Sequence, residues 1–476
     1  MEARDDRRAR VTFAVLALGG ISYALLQSLV APALPALQHD LHTSEDGVSW
    51  VLTAYLLSAS IATPLLGRLG DMHGKERMLV LALALLAVGT LTSALATSLA
   101  LMLVGRVVQG AAGGIFPLAF GIIRDEFPRP RVAGAIGLMS ALLGVGGGAG
   151  VVLAGPIVDN FSIHSLFWLP LVPIVLATIL TYLLVPESPV KAPGGVNWLG
   201  ATLLSLGLVA VLVGVSETTS WGWLSPKTLG SIAAGVVLLV LWVMSDARSA
   251  HPLVDMQMMR IRGVWTTNTA ALLLGFGMYS SFILLPEVVE TPSRVGYGFG
   301  ASVTAAGLFM LPSTIAMLLV GSQTGRLEER FGSKPLLVGG TALTAVAFGM
   351  LALARTESWE IYLASAILGA GIGLAFASMA NLIIENVGPA ETGVATGMNT
   401  VTRTVGGAFG GAATASIVAG TIGAGGYPSA HGYTLAFLLC LGALVAGALA
   451  SLGVPQRRPE AAFEPHPAGD VVEQAA

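Results

Sequence analysis

The chain has 476 residues, of which 54% are hydrophobic and 11% are charged, and its mean hydropathy is +0.78. Since a soluble domain carries about 25% charged residues, this composition indicates an integral membrane protein. It excludes a soluble enzyme, a nucleic-acid binder and a disordered scaffold. The formal net charge of −3 points to no partner, and the single cysteine, Cys440, excludes an intrachain disulfide framework.

Fourteen apolar runs follow one another along the chain, each close to the roughly 20 residues that a helix needs to cross a bilayer. Strands of a membrane barrel would be about 10 residues long with alternating polarity, and these runs are longer and uniformly apolar. We therefore predict an all-α membrane protein with about 14 spans. The predicted spans are 12–34, 48–66, 78–97, 99–122, 133–157, 166–185, 198–216, 228–245, 264–286, 300–321, 336–354, 360–384, 394–420 and 432–453.

Basic residues are distributed unevenly between alternate loops. With the N-terminus placed in the cytoplasm, nineteen Lys and Arg residues fall on the cytoplasmic side and three on the other side. Because cytoplasmic loops carry an excess of basic residues, this distribution predicts a multi-pass protein of the cytoplasmic membrane with both termini inside. The first run is longer than the apolar region of a signal peptide, so we expect it to be retained.

Two segments of the second half of the chain repeat segments of the first half with nearly the same offset. The sequence Gly-Arg-Leu at 67–69 recurs at 325–327, and the glycine spacing of 137–150 recurs at 397–410. Repeats of this kind place a substrate site between two bundles near the membrane midplane. The predicted organisation is an N-terminal tail (1–11), a six-helix bundle (12–185), two inserted helices (198–245), a second six-helix bundle (263–453) and a disordered cytoplasmic tail (454–476).

The loop between the second and third runs has the pattern Gly67-x-Leu-x-Asp71-x-x-Gly74-Lys75-x-Arg77. Here the sequence resembles the major facilitator superfamily, and nearly the whole chain is similar to its fourteen-helix drug:proton antiporter group. Glycines permit a tight turn, and a carboxylate can face a helix N-terminus. The resemblance implies that Asp71 contacts the helix that begins near 392–394 and latches the cytoplasmic side in the outward-facing state. The gating residues would be Gly67, Arg68, Asp71, Gly74, Lys75, Arg77, Gly325, Glu329 and Arg330.

Two arginines fall inside apolar runs. A charge at the bilayer centre costs about 2.5–3.5 kcal/mol on insertion scales, so it usually faces a cavity or a partner. Arg106, in Leu103-x-x-Arg106-x-x-Gln109-Gly110, matches a family motif, and Arg403 resembles an arginine of the antiporter group. The resemblance implies that both take part in proton relay or organise the cavity.

The fifth run resembles the antiporter motif of the family. Its glycines would let the helix pack closely and bend. It departs from the family pattern at Val151, where a proline is expected, and the first run lacks the aspartate that many relatives carry. The packing glycines are Gly144, Gly146, Gly147, Gly148 and Gly150.

Carboxylates near the apolar runs are few. Glu287 is the first candidate for proton coupling because Tyr279, Ser280 and Ser281 precede it on the ninth run, and Glu290 is the second. Glu217 and Glu385 lie at the ends of other runs. A coupling carboxylate must change its protonation between states, which burial and a nearby arginine can bring about.

Polar and aromatic side chains are expected to line a mostly apolar substrate cavity. The candidates are Tyr23, Gln27, Trp50, Tyr55, Gln109, Asn268, Tyr279, Asn381 and Asn399. Such a cavity suits an amphipathic compound. Some of these side chains could instead anchor the interface or bond between helices.

Taken together, the sequence predicts a monomeric, proton-coupled secondary transporter that exports amphipathic drugs or natural products by alternating access. Its partners would be a small amphipathic substrate, protons and membrane lipids, with no nucleic acid, cofactor or metal. The seven scattered histidines favour no membrane enzyme, and an ATP-driven pump would need the phosphate-binding pattern Gly-x-x-x-x-Gly-Lys-Ser/Thr, which the chain lacks. An exporter or flippase of a lipid-like or other endogenous metabolite is the alternative, and a transporter-fold sensor is the non-transport one.

Overall fold

The computed structural model describes residues 2–188, 191, 194–422 and 426–455. Nearly all of the predicted tail at 454–476 therefore lies outside the described residues. Apart from an isolated bridge between Ile422 and Pro428, the regular structure of the described residues is helical. The α-helices are α1 Glu2–Leu29, α2 Leu34–Asp40, α3 Glu45–His73, α4 Lys75–Ala94, α5 Leu99–Gly110, α6 Ile115–Glu126, α7 Arg129–Asn160, α8 Ser165–Leu184, α9 Trp198–Ser216, α10 Thr218–Trp221, α11 Pro226–Arg248, α12 Met256–Arg260, α13 Arg262–Glu290, α14 Val303–Phe331, α15 Ser333–Leu353, α16 Ser358–Asn386, α17 Thr392–Ala419 and α18 Ala430–Leu452.

Thirteen helical stretches of the described chain are long and apolar enough to cross a membrane. The predicted span that is missing from this set, 394–420, folds as α17, whose Asn399, Arg403 and threonines make it more polar than the others. No residue from 392 to 418 is exposed, because α17 packs against α13, α3 and α18. This all-α architecture agrees with the predicted fold of about 14 spans.

The fourth predicted span is broken in the middle. It consists of α5 and α6, joined by a turn at residues 111–114. Gly110, Gly113 and Gly114 lie at this break, where they weaken the helix and let it approach α3. The apolar run alone gave no sign of this interruption.

Two apolar cores lie within the two sets of helices, and a third joins α9 and α11 to α13, α16 and α17. One of the first two consists almost entirely of residues between Val15 and Val185, and the other of residues between Ala270 and Val454. The two sets of helices meet where α7 packs against α14 and where α3 packs against α17. We call the end of the bundle with the α3–α4 and α14–α15 junctions the terminal face, because α1 begins there, and the other end the opposite face.

The helices α9 and α11 form a packed hairpin at the side of the bundle, where α9 contacts both α3 and α17. Asp246 holds the segment that follows α11 against that helix. Its carboxylate accepts hydrogen bonds from Trp242 Nε1 at 2.8 Å and from the backbone N–H of Val254 at 3.1 Å. On the opposite face, Trp223 Nε1 donates to Ser416 Oγ of α17 at 2.8 Å. The hairpin is thereby fixed against the seam between the two cores.

Candidate functional site

The carboxylate of Asp71 joins the two sets of helices at the terminal face. Asp71 is fully buried at the end of α3, and its Oδ1 accepts from the backbone N–H of Gly393 at 3.2 Å. Its Oδ2 accepts from the backbone N–H of Val394 at 3.1 Å. Both N–H groups belong to the first turn of α17, where they have no partner within the helix and the helix dipole favours a negative charge.

The helices approach so closely here that only glycine fits. A Cβ atom on Gly67 would lie 2.5 Å from the carbonyl oxygen of Gly393, which is far inside van der Waals contact. At the end of α3, Gly74 has φ +117°, a conformation that side chains with a Cβ rarely adopt. The loop pattern therefore brings α3 against α17 and then turns the chain sharply into α4.

Lys75 is buried between two carboxylates. Its Nζ lies 2.7 Å from Asp125 Oδ2 on α6 and 3.7 Å from Asp71 Oδ1. Asp125 Oδ2 also accepts a short hydrogen bond from the hydroxyl of Ser188. Removing the charge of Lys75 would leave two neighbouring buried carboxylates without compensation.

A second connection across the terminal face is made by Arg124. Its Nη2 donates to the carbonyl of Val387 at 2.9 Å, and its Nη1 donates to the carbonyl of Gly388 at 3.2 Å and to Thr392 Oγ1 at 2.5 Å. Arg124 therefore holds the segment that joins α16 to α17. Because its partners are mostly backbone carbonyls, no residue type in the sequence indicated this role.

The other basic residues of the loop pattern lie at its periphery. Arg68 Nη2 donates to the carbonyl of Gly195 at 3.5 Å, and Arg77 forms a partly exposed ion pair with Glu187 at 3.2 Å. Near Arg68, burial and the neighbouring Asp255 raise the pKa of the Glu391 carboxyl, which Arg68 partly offsets. The residue immediately before α17 is therefore easier to protonate than an ordinary glutamate.

The second copy of the loop pattern differs from the first. Gly325 again allows close contact, since a Cβ there would lie 2.5 Å from the Cα of Gly134 on α7. The predicted gating residues Glu329 and Arg330 are exposed, and the buried carboxylate at this junction belongs to Glu328. Because Glu328 and Glu329 are adjacent, the sequence alone does not show which of them faces the neighbouring helices.

Asn381 was expected in the substrate cavity but lies at the terminal face. Its Nδ2 donates to Glu328 Oε2 at 2.5 Å, and it lies 3.4 Å from the carbonyl oxygen of Ala133 on α7. The side chain therefore points along the helix toward α14 and α7. Ala380, the preceding residue, borders the cavity instead.

Arg106 is completely buried between α5 and α3. Its Nε donates to the carbonyl of Val51 at 2.9 Å and its Nη1 donates to Gln109 Oε1 at 2.7 Å, while the guanidinium lies 4.3 Å from the centroid of the Tyr55 ring. Gln109 Nε2 in turn donates to Thr90 Oγ1 at 3.1 Å. Arg106 Nη2 and the Tyr55 hydroxyl have no hydrogen-bond partner among the described residues.

Tyr23 places α1 beside this group. Its ring centroid lies 6.2 Å from that of Tyr55 and 6.1 Å from that of Phe116 on α6. It also comes within electrostatic range of Tyr279 and Arg403, which belong to the second set of helices. Tyr23 is therefore at the centre of the molecule, between the two arginines.

Arg403 borders a cavity between the two sets of helices. Its guanidinium lies 4.1 Å from the centroid of the Phe376 ring, and none of the described residues pairs with it through a hydrogen bond or an ion pair. The cavity has a volume of about 20 Å³, enough for about one water molecule. It is lined by Phe116, Phe120, Ser140, Leu143, Phe376, Ala380, Thr396, Asn399, Thr400 and Arg403.

The remaining cavity candidates are distributed around this centre. Asn399 lines the cavity and its Nδ2 donates to Asn268 Oδ1 at 2.9 Å, while Tyr279 packs against α17 at Gly407. Gln27 and Trp50 are half-buried near the opposite face. The structure therefore brings Tyr23, Tyr55, Gln109, Asn268, Tyr279 and Asn399 together around the two arginines, and leaves Gln27, Trp50 and Asn381 outside.

Glu287 and Glu290 lie at the opposite end of α13. Glu287 is half-buried and faces Tyr433 of α18, whereas Glu290 is exposed. Neither forms an ion pair within the part of the chain that is described. Both carboxylates are therefore separated along α13 from the level of Asn268, which contacts the cavity residue Asn399.

The glycines of α7 face two different helices. A Cβ on Gly150 would lie 2.7 Å from the carbonyl oxygen of Leu25 on α1, and one on Gly148 would lie within 3 Å of the side chain of Thr314 on α14. Gly144 faces α14 and Gly146 faces α1 in the same way. A Cβ on Gly147 would meet nothing within 4 Å.

Comparisons with known proteins agree on one family. The sequence model of the Major Facilitator Superfamily matches residues 16–411 and 267–470. The tetracenomycin C resistance and export protein of Streptomyces glaucescens is 29% identical over 418 residues, which cover 87% of this chain and 76% of that protein. The cephamycin export protein CmcT of Amycolatopsis lactamdurans is 30% identical over 393 residues, which cover 80% of this chain and 79% of that protein.

A solved structure shows the same fold. The crystal structure of the human organic anion transporter MFSD10 (TETRAN) superposes with a TM-score of 0.69, covering 93% of this chain and 99% of that chain. The two sequences are 16% identical, so the likeness concerns the fold alone.

Proposed function

The chain belongs to the Major Facilitator Superfamily and is a transporter rather than an enzyme, and we propose that it exports amphipathic drugs or natural products in exchange for protons. Two relatives are named as export proteins for antibiotics, and their similarity covers at least four fifths of this chain. We further propose that the chain resides in the cytoplasmic membrane with the terminal face toward the cytoplasm.

The observation that carries this proposal is the contact of the Asp71 carboxylate with the first turn of α17. It connects helices from the two sets through hydrogen bonds of 3.2 and 3.1 Å, and Arg124 adds a second connection nearby. Hydrogen bonds between a carboxylate and a helix N-terminus can break and re-form as the two helices separate and approach again. In this proposal it is a latch that closes the cytoplasmic side while the site faces outward.

Elsewhere the two sets of helices are joined mainly by α7 and α14, which remain in close contact toward the opposite face, where a Cβ on Gly155 would lie 2.5 Å from Thr304 Oγ1. The helices α1 and α13 form no packed pair in the part of the chain that is described. In this proposal the two sets of helices rock about the α7–α14 contact, as alternating access requires. Because the cavity is only about 20 Å³, a drug-sized ligand would have to separate the halves further.

Proton coupling would require a carboxylate that is neutral in one state and charged in the other. We propose Glu287 for this role, since it is half-buried beside Tyr433 and forms no ion pair with a described base. Glu290, one turn further along α13 and exposed, is the second candidate.

The test is transport into inverted membrane vesicles prepared from cells that express the chain, with vesicles lacking it as the control. A mixed panel of tetracenomycin C, a cephamycin, fusidic acid, novobiocin, ethidium and rhodamine 6G would be offered under an imposed pH gradient, and uptake quantified by mass spectrometry. We expect uptake of at least one compound, abolished by a protonophore. Uptake of none of them would reject drug export, and uptake that persists without the gradient would reject proton coupling.

A further inference from the structure

Arg106 and Arg403 are the two charged side chains that the sequence places within the middle of the predicted spans. Every Asp and Glu of the spanning helices lies near a helix end. At the terminal face, Asp71 is engaged by α17 and Glu328 by Asn381. Among the described residues, the middle of the spanning helices therefore holds two positive charges and no carboxylate.

The contacts of Arg403 do not satisfy its charge. Among the described residues its guanidinium has the Phe376 ring at 4.1 Å and neither a hydrogen-bond acceptor nor an anion. Only 9% of the residue is exposed, and it borders the cavity. A buried guanidinium is costly unless an acceptor pairs with it, and a cation–π contact supplies only part of that compensation.

Arg106 gives an independent observation of the same kind. It is 0% exposed, and its Nη2 has no partner among the described residues although Nε and Nη1 each donate to a neutral oxygen. Both acceptors are uncharged, so they leave the full positive charge of the side chain in place. In a low-dielectric interior this charge adds to that of Arg403 and makes the cavity favourable for an anion and unfavourable for a cation.

From these two arginines we infer that the exported compounds carry an acidic group, a carboxylate or an acidic enol or phenol, and that Arg403 binds it in the cavity. This inference rests on the proposed export function and narrows its substrate class. A guanidinium can bind a carboxylate through two parallel hydrogen bonds. Asn399 and Thr400 lie on the same wall for further hydrogen bonds, and Phe116 and Phe120 provide apolar contact for the rest of the molecule.

The same charges would discriminate against lipophilic cations. A cation entering the cavity would face two like charges with no carboxylate nearby. Repulsion between like charges would therefore weaken the binding of cations strongly. Export of an anion from a cell with a negative interior is in addition favoured by the membrane potential. The substrate class and the direction of transport are therefore mutually consistent.

A first experiment compares acids, their neutral esters and cations in a pump-deficient host with and without the chain. The probes are fusidic acid and novobiocin, fusidic acid methyl ester, and the cations ethidium, tetraphenylphosphonium and rhodamine 6G. We expect increased tolerance to the acids, by up to about tenfold, with a smaller increase for the ester and none for the cations. Export of cations without export of acids would overturn the inference while leaving drug export in place, and export of no probe at all would overturn both.

A second experiment uses charge variants of Arg403 in inverted vesicles, with Arg260→Gln, an exposed arginine at the terminal face, as the matched control. Arg403→Gln should raise the KM for fusidic acid by about tenfold or more, while uptake of its methyl ester stays near that of the unsubstituted chain. Arg403→Lys should restore part of the affinity, because it keeps the charge but loses the bidentate geometry. Elution as a single species in size-exclusion chromatography would show that each variant folds.

The outcome that contradicts the inference is equal loss of acid and ester transport in a folded Arg403→Gln variant, since that would indicate a structural role. Unchanged affinity for the acid would contradict it as well. Arg106→Gln should weaken acid transport less than Arg403→Gln does, because Arg106 lies behind Tyr55 and acts through its charge.

Discussion

The carboxylate of Asp71 accepts a hydrogen bond from the backbone N–H of Val394 at 3.1 Å, across 323 positions of the sequence. Together with the hydrogen bond from the backbone N–H of Gly393 at 3.2 Å, this contact ties the end of α3 to the start of α17. It combines a buried charge with the positive end of a helix dipole, so its strength depends on the charge and on the exact approach of the two helices.

Asp71→Asn should weaken the latch and reduce transport without preventing membrane insertion. The amide has one acceptor oxygen in place of two and carries no charge to interact with the helix dipole or with Lys75. To detect opening, a cysteine at Ala395, which is buried, would be labelled with a maleimide in a Cys440→Ser background. We expect the maleimide to label this cysteine faster in the Asp71→Asn chain than in the Asp159→Asn control. Equal labelling rates in the two variants, together with full transport by Asp71→Asn, would contradict the latch.

Arg124→Gln should act in the same direction as Asp71→Asn. It removes the charge-assisted hydrogen bonds to Val387, Gly388 and Thr392, each worth about 1.5–3 kcal/mol for a charged donor. Because both residues hold the same junction, their effects should not add. A double-mutant cycle on the labelling rate of Ala395→Cys measures this, and strictly additive effects would show that the two contacts open independently.

Gly150→Ala should destabilise the fold while Gly147→Ala should not. A Cβ on Gly150 would lie 2.7 Å from the carbonyl oxygen of Leu25, whereas one on Gly147 would have open space around it. Overpacking of this kind costs about 1–3 kcal/mol. Thermal unfolding of the purified variants in detergent should give a lower midpoint for Gly150→Ala alone, and similar midpoints would argue against the close packing of α7 on α1.

Glu287→Gln should uncouple substrate movement from the pH gradient. The amide cannot release a proton, while it still fills the space beside Tyr433. Proton flux measured with a pH-sensitive dye inside proteoliposomes should no longer respond to substrate. Glu290→Gln is the matched control on the same helix end, and coupling that survives Glu287→Gln but not Glu290→Gln would transfer the role to Glu290.

The sequence predicted those parts of the molecule that depend on local composition or on contiguous residues. The fourteen spans follow from apolar runs, and the Asp71 contact follows from a short pattern whose residues act together. It did not predict Arg124, whose partners are backbone carbonyls distant in sequence. It also named Glu329 as a gating residue and placed Asn381 in the cavity. Both assignments depend on the rotation of a helix about its own axis, which decides whether Glu328 or Glu329 is buried and where Asn381 points.

The sequence indicated which residues lie around the cavity but not how they are arranged. Tyr23, Tyr55, Gln109 and Asn399 were all expected at the cavity. That Arg106 stacks on Tyr55 and Arg403 on Phe376, with no carboxylate between them, required the packing of α5 on α3 and of α17 on α16. The absence of acids from the middle of the spans was visible in the sequence, but its consequence for the charge of the cavity was not.

In the proposed mechanism, the two sets of helices rock about the cavity so that the two faces open alternately. Electron spin resonance distance measurements between paired labels test it most directly, with His73→Cys and Arg260→Cys at the terminal face, and His39→Cys and Ser293→Cys at the opposite face. All four positions are exposed. When fusidic acid is added or the pH is changed, we expect the two distances to change in opposite directions. Distances that remain fixed at both faces, or that lengthen together as in an open pore, would contradict the account.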